Sequence, residues 1–277
     1  MFEQNVRFDR ARRLSSWRKV AIGTWGNPGD PSIYAKMNVD ATQMLERIER
    51  LREEEAPLTP LILVIHAVGH AIAQNPSLNS VLRWGRLHPR REVNVAVPVL
   101  PDSSGEDLTA VLIRDCNLKS EVELADELRA RSSEIRRGED YDFEAAKATL
   151  SRLPGLLIRP VIRFLGFFLY TLNFWHRLTG VPQDAFGSAQ VTSVGAFGIE
   201  EGYGPLDPYS RCPMMVVVGR LEQVARVIDG QLAIRPMLSI CFTFDHRIID
   251  GMGCARVMNS IRSRLETPAK PCSSESV

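Results

Sequence analysis

A run of apolar and β-branched residues, Met237 to Thr243, leads into Phe244-Asp-His-Arg-Ile-Ile-Asp-Gly251, and that loop leads into Cys254, Val257, Met258, Ile261 and Leu265. The first run predicts a buried strand, and the second, apolar at helical spacing, predicts an amphipathic helix. A short loop between two such elements leaves His246 little freedom. Asp250 lies four residues on, and Gly251 is expected to permit an unusual backbone turn. An imidazole held at such a corner beside a carboxylate is a candidate general base near neutral pH. A loop histidine next to a helix-capping aspartate has the same short pattern.

The remaining chain alternates strands and helices. Tyr34 to Val39 predicts a strand, and Asp40 with Gln43 predicts the cap of a helix carrying Met44, Leu45, Ile48 and Leu51. Thr59-Pro60 opens a nearly all-apolar helix through Ala73, which predicts burial on every side. His66 and His70 lie one turn apart on it, a spacing at which two imidazoles can share a metal. With no third ligand in view, the expectation is no metal and a pair of core or interface histidines. Val93 to Val99 and Leu108 to Ile113 predict strands, Ser120 to Arg136 a charged helix, and Pro213 to Leu221 another buried strand. Asp229-Gly230 predicts a hairpin turn. Ser188-Ala-Gln-Val-Thr-Ser-Val-Gly-Ala-Phe-Gly198 places a hydroxyl pair, Thr192-Ser193, near the end of a strand.

With 277 residues the chain has room for one large domain or two small ones, and a net charge of +1 gives no electrostatic ground for a nucleic-acid partner. Cys116, Cys212, Cys241, Cys254 and Cys272 are odd in number and scattered, which argues against a disulfide framework or zinc site and fits a reducing compartment. Residues 1–10 lack the apolar core of a signal peptide, so a cytoplasmic location is expected.

Phe242-Thr-Phe-Asp-His-Arg-Ile-Ile-Asp-Gly251 resembles the catalytic signature of the dihydrolipoamide acyltransferase component of 2-oxo-acid dehydrogenase complexes, whose fold is that of chloramphenicol acetyltransferase. Arg18-Lys19, Asn75-Pro-Ser-Leu-Asn79, Ser193-Val-Gly-Ala-Phe-Gly198 and Pro213-Met-Met-Val-Val-Val-Gly219 extend the resemblance over most of the chain. It implies an α/β fold, an α+β two-layer sandwich with a mixed sheet and helices packed on one face. It implies acyl transfer between coenzyme A and a thiol or hydroxyl acceptor, with His246 as general base and Asp250 holding the loop. Setting 193–198 on the family's Asn-Leu-Gly-Met-Phe-Gly puts Thr192 at the oxyanion-stabilising serine, and a one-residue shift selects Ser193. Arg18 is the candidate partner of Asp250, with a surface arginine as the other reading. The family implies a homotrimer with the site between subunits, acyl-CoA as substrate, no metal, and lipoamide borne on a separate protein, because no lipoyl domain is read in this chain. A larger dehydrogenase-complex core is a further assembly, and a catalytically silent, recruiting trimer of the same fold is the alternative function.

A single domain is thus expected over residues 1–266, followed by a disordered tail over 267–277. Within that domain, 148–186 departs from the family as an apolar insertion. Its charge-free stretch, Phe164 to Trp175, is about a dozen residues, short of the ~20 needed to span a bilayer. Arg159, Arg163 and Arg177 with Tyr170 and Trp175 suit an in-plane, peripheral membrane contact. A hairpin buried on the chain or between subunits, and a wall for a long acyl chain, are the other readings.

Overall fold

The computed structural model describes residues 3–11, 13–15, 19, 30–52, 58–101, 108–138, 154–176 and 180–267. Its architecture is set by two long strands, β9 (Met214–Ile228) and β10 (Gln231–Asp245), joined at Asp229 (φ 50°) and Gly230 (φ 80°). Two successive left-handed residues are what a two-residue hairpin turn requires, as the Asp-Gly pair predicted. β10 pairs antiparallel with β2 (Ser32–Asp40) on its other side. β8 (Ala189–Ser193) runs parallel to both β9 and β5 (Val95–Val99), and β6 (Thr109–Ile113) closes the sheet. The order is β2-β10-β9-β8-β5-β6, a mixed six-stranded sheet.

Alternation along β10 explains the layering. Leu238, Ile240, Phe242 and Phe244 are fully buried on one face, with the two phenylalanine rings parallel at 5.5 Å. That face is covered by α1 (Thr42–Arg52), α2 (Pro60–Gln74), α3 (Glu121–Arg136) and α5 (Gly251–Glu266). Each large apolar side chain removed from water there contributes roughly 1.5–3 kcal/mol. The expected two-layer α/β arrangement, with helices on one face, is met. The helices start where the sequence placed them, although at the first Asp40 bonds Thr42 rather than pairing with Gln43. Asp40 accepts from the Thr42 N–H (2.9 Å), Thr59 accepts from the Ile62 N–H with Pro60 behind it, and Ser120 forms a reciprocal capping box with Glu123.

The opposite face of the sheet is crossed by the chain between Ile199 and Arg211. The approach is so close that a Cβ on Gly219 would lie 1.9 Å from the Glu200 carbonyl oxygen, and one on Gly204 would lie 1.9 Å from Met215 Sδ. Only glycine fits at 219, where the obstacle is backbone, whereas at 204 the obstacle is the end of a flexible methionine side chain.

The apolar insertion divides into two parts. α4 (Gly155–Gly166) runs into a π-helical turn (Phe167–Thr171) and then β7 (Phe174–Trp175), which pairs with β1 (Glu3–Gln4). The second part is fastened to the body. Leu169 and Tyr170 bury against Val6, and the Asn173 side chain exchanges two hydrogen bonds with the Val6 backbone (2.7 and 2.8 Å). Arg90 forks onto Asp184 (3.0 and 3.3 Å), both buried. A hairpin not read from sequence, β3 (Ser80–Arg83) with β4 (Arg86–Pro89), leads to Arg90. All but the first residue of the tail expected over 267–277 lies outside the described residues, as do 148–153 and 177–179 of the insertion.

Breaking a buried ion pair strands a charge, whereas an exposed pair contributes little. Asp184→Ala is therefore expected to lower the unfolding free energy by about 3–5 kcal/mol. Arg91→Ala, which removes an exposed pair with Asp9, is expected to change it by about 0–1 kcal/mol. Urea denaturation of the two variants measures the contrast.

Candidate active site

The loop after β10 is held from every side. The Asp245 N–H donates to the Pro213 carbonyl (2.9 Å), and the His246 N–H donates to the Pro31 carbonyl (2.8 Å), so the loop is pinned between the strand entrances on either side. The Ile248 and Ile249 N–H groups fold back onto the Asp245 carbonyl (2.9 and 2.8 Å), and both isoleucine side chains are buried in the helix-side core. The Asp245 carboxylate accepts a fork from Arg247 (3.0 and 2.8 Å) and the Arg247 backbone N–H (3.0 Å). Charge-assisted forks of this kind are strong and directional. Sequence reading passed over this pair, since an Asp and an Arg two apart in a loop have no distinctive pattern. Arg211 lies close by, and burial followed by the neighbouring Arg247 lowers its pKa from the usual arginine value.

His246 is half-buried, and its Nδ1 lies 3.0 Å from the Ile249 carbonyl oxygen. A carbonyl only accepts, so Nδ1 carries the proton in this contact, and in the neutral ring Nε2 is the basic nitrogen. That is the tautomer a general base needs.

Asp250 is the N-cap of α5. Its backbone is extended (φ −92°, ψ 177°), and its carboxylate accepts the Gly253 N–H at 2.8 Å. Gly251 differs from expectation. It is the first residue of α5, it does not have a positive φ, and a Cβ there would meet nothing within 4 Å. The corner is turned by Asp250 in its extended conformation instead. Arg18, the expected partner of Asp250, lies outside the described residues.

Thr192 sits near the end of β8, in register with Val217 of β9, which is in register with Cys241 of β10 and so with Lys36 of β2. Val191 and Val218 belong to the helix-side core, so strand alternation puts Thr192 on the opposite face and Ser193 in the helix-side row. The chain crossing the opposite face brings Tyr203 over Cys241 and Glu201 onto Lys36. The Glu201 hydrogen bond raises the Lys36 pKa above the usual lysine value, and burial together with Cys241 raises that of Tyr203.

One chain does not unite His246 with Thr192. His246 lies five residues beyond Cys241 along β10, and β8 is two strands from β10. At ~3.3 Å per residue and ~4.8 Å per strand, the backbones are on the order of 15–20 Å apart.

The other polar groups read from sequence are engaged elsewhere. His66 Nδ1 is 3.1 Å from Glu121, which also pairs with Arg47 at 2.8 Å, and His70 Nδ1 lies 3.1 Å from the His66 carbonyl. These histidines belong to a polar cluster in the helix layer. Among the described residues no group of three or more His, Cys, Asp or Glu side chains is arranged to hold a metal ion. Cys116, Cys212, Cys241 and Cys254 are buried and unbonded, and burial pushes the Cys254 thiol up to about 11.

The family described as 2-oxoacid dehydrogenases acyltransferase (catalytic domain) matches residues 27–153 and 182–272, and the break between the two segments falls within the insertion. The lipoamide acyltransferase component of the branched-chain alpha-keto acid dehydrogenase complex from Bacillus subtilis (strain 168) is 20% identical over 242 residues. That match covers 86% of this chain and 47% of the relative, so the chain spans about half of its length. The structure of a probable dihydrolipoamide acetyltransferase from Listeria monocytogenes 4b F2365 superposes with a TM-score of 0.66 at 20% identity, covering 96% of this chain and 98% of that one. A chloramphenicol acetyltransferase gives a TM-score of 0.58 at 14% identity, covering 94% and 99% respectively. Both share the fold, as the sequence implied.

The cap at Asp250 can be tested apart from catalysis. Asp250→Ala is expected to lower stability by about 1 kcal/mol, and Asp250→Asn by a few tenths, because asparagine also caps. Thermal unfolding of the two variants compares them, and an equal loss in both would mean the carboxylate stabilises the loop by other contacts.

Proposed function

Because the chain belongs to the 2-oxoacid dehydrogenase acyltransferase (catalytic domain) family, we propose that it transfers an acyl group between coenzyme A and a thiol or hydroxyl acceptor, with His246 as general base. The observation that carries this reading is the contact of Nδ1 with the Ile249 carbonyl, which leaves Nε2 as the proton acceptor. In the forward step Nε2 takes the acceptor's proton as its sulfur or oxygen attacks the thioester carbonyl carbon. The Thr192 hydroxyl donates to the oxyanion of the tetrahedral intermediate. As the carbon–sulfur bond to coenzyme A breaks, His246 returns the proton to the departing thiolate. Asp250 positions the histidine by fixing the loop to the head of α5. Arg18 has the role of its partner in this reading.

The site is proposed to form between subunits of a homotrimer, His246 of one chain meeting Thr192 of the next. Their separation within one chain supports this, as do exposed apolar side chains at separate places on the sheet: Tyr34 on β2, beside Thr243 and three residues from His246 in register, Phe197 and Ile199 just after β8, and Val227, Leu232 and Ile234 at the hairpin tip. Acyl-CoA is the donor. The acceptor is a dihydrolipoyl group carried on a separate protein or another small thiol, and assembly beyond the trimer follows from the first of these.

Transfer from a panel of acyl-CoAs to dihydrolipoamide, with released coenzyme A separated chromatographically, tests the reading. His246→Ala is expected to lower kcat by about 100- to 10,000-fold, Thr192→Val by about 100- to 1000-fold, and Ser193→Ala to leave it near wild type. Mixed assemblies of the His246→Ala and Thr192→Val chains are expected to regain activity, since some interfaces then pair an intact histidine with an intact threonine. Undiminished transfer by His246→Ala sinks the mechanism, and failure of mixing to restore activity sinks the shared site.

A further inference from the structure

The face of α4 that the body does not cover is apolar. Leu157, Val161 and Phe164 recur at i, i+4 and i+7, which aligns them in one stripe. Ile158, Ile162 and Leu165, each one residue further on and so about 100° round the helix, form the adjoining stripe of the same apolar face and are half-buried. The apolar face of an amphipathic helix is ordinarily buried across its width, yet here only the 158/162/165 side meets the body, and Phe164 is 70% exposed, with Leu156 at the start of the helix 88% exposed. The surface continues onto a second element. Trp84, at the tip of the β3–β4 hairpin and 64% exposed, meets the Phe167 ring edge-on at 6.1 Å. Two segments far apart in sequence thus present aromatic and aliphatic side chains together, in a patch of a kind that marks an interaction surface.

The charges choose the occupant. Between Pro154 and Trp175 the charged side chains are Arg159 and Arg163, with no acid among them, and both are exposed. The hairpin tip adds Arg86, also exposed. Two copies of this face set against each other would bring arginines together, whereas an anionic lipid surface supplies the opposite charge. Arginine stems lie along apolar surface while their heads reach the phosphates, and Trp favours the headgroup level. α4 is 12 residues long, about 18 Å, against the ~30 Å of a bilayer core. No helix of the described residues is long and apolar enough to cross a membrane.

We infer that α4 and the Trp84 hairpin together dock the protein in the plane of an anionic phospholipid surface, with Leu157, Val161, Phe164 and Trp84 entering the headgroup boundary. The buried fastening of the π-helical turn and β7 to the body keeps α4 from being a free tail, so docking would orient the whole sheet relative to the membrane.

Flotation of the full chain with phosphatidylcholine vesicles, with and without phosphatidylglycerol, tests this. Wild type is expected to float with the phosphatidylglycerol vesicles and less well as salt rises. Leu157→Ser with Phe164→Ser is expected to lower the partition coefficient by about tenfold or more. Trp84→Ser and Arg159→Gln with Arg163→Gln are each expected to weaken it as well. All these side chains are exposed, and unchanged midpoints of thermal unfolding certify the fold of each variant. Absence of flotation by wild type, or equal flotation by the folded variants, overturns the proposal. So does a loss of assembly mass in the Leu157→Ser/Phe164→Ser protein by light scattering, which would make the face a contact between copies.

Discussion

The period-two alternation of β10 is the constraint on which the rest of the molecule depends. Burying Leu238, Ile240, Phe242 and Phe244 against the helices leaves Cys241 and Thr243 on the other face and sets the rows of β9, β8 and β2 with them. A slip of one residue would turn every one of those side chains over. The same register brings the strand's end to Asp245, where Pro213 and Pro31 carbonyls on either side receive successive N–H groups. The core thus fixes the position of the imidazole, and the loop's own hydrogen bonds fix its tautomer.

The two faces of the sheet do different work. The helix side is filled by apolar side chains and supplies most of the stability. The other side is covered by irregular chain at backbone contact distance, with Gly219 making that approach feasible, and it carries Thr192 and the polar row of Lys36, Glu201 and Tyr203. Side chains placed there rest on a packed layer beneath them without belonging to it. The insertion repeats this division at small scale, one part sealed by Val6, Leu169 and Tyr170 and the other facing outward.

What was legible in the sequence was local. The loop after β10, the helix starts at Asp40, Thr59 and Ser120, and the Asp229-Gly230 turn are each written within a few residues, and each formed where it was read. Features that depend on distant partners left no such trace. Arg90 and Asp184 are 94 residues apart, and neither is unusual in its own neighbourhood. Trp84 could not be connected with Phe167 until a fold brought them together. Gly251 was misjudged for a different reason. Glycine after a loop suggests an unusual backbone turn, but here the extended aspartate before it turns the corner. In the insertion, composition alone does not say which apolar residues face inward, because the apolar face of α4 is wider than the part of it that the body covers.

The pairing of β2 with β10 has a consequence for how the chain is made. Ser32 meets Asp245 and Asp40 meets Met237, so the edge of the main sheet waits for a strand translated roughly 200 residues later. β1 waits similarly for β7. Pairings of such long range close slowly, because the entropy of a large loop is lost before any contact is gained. During synthesis the early strand therefore remains an open edge, able to pair with another nascent chain. The Pro31 carbonyl that receives the His246 N–H arrives only when that edge closes, so the last main-chain anchor of the loop waits on a long-range pairing of the sheet.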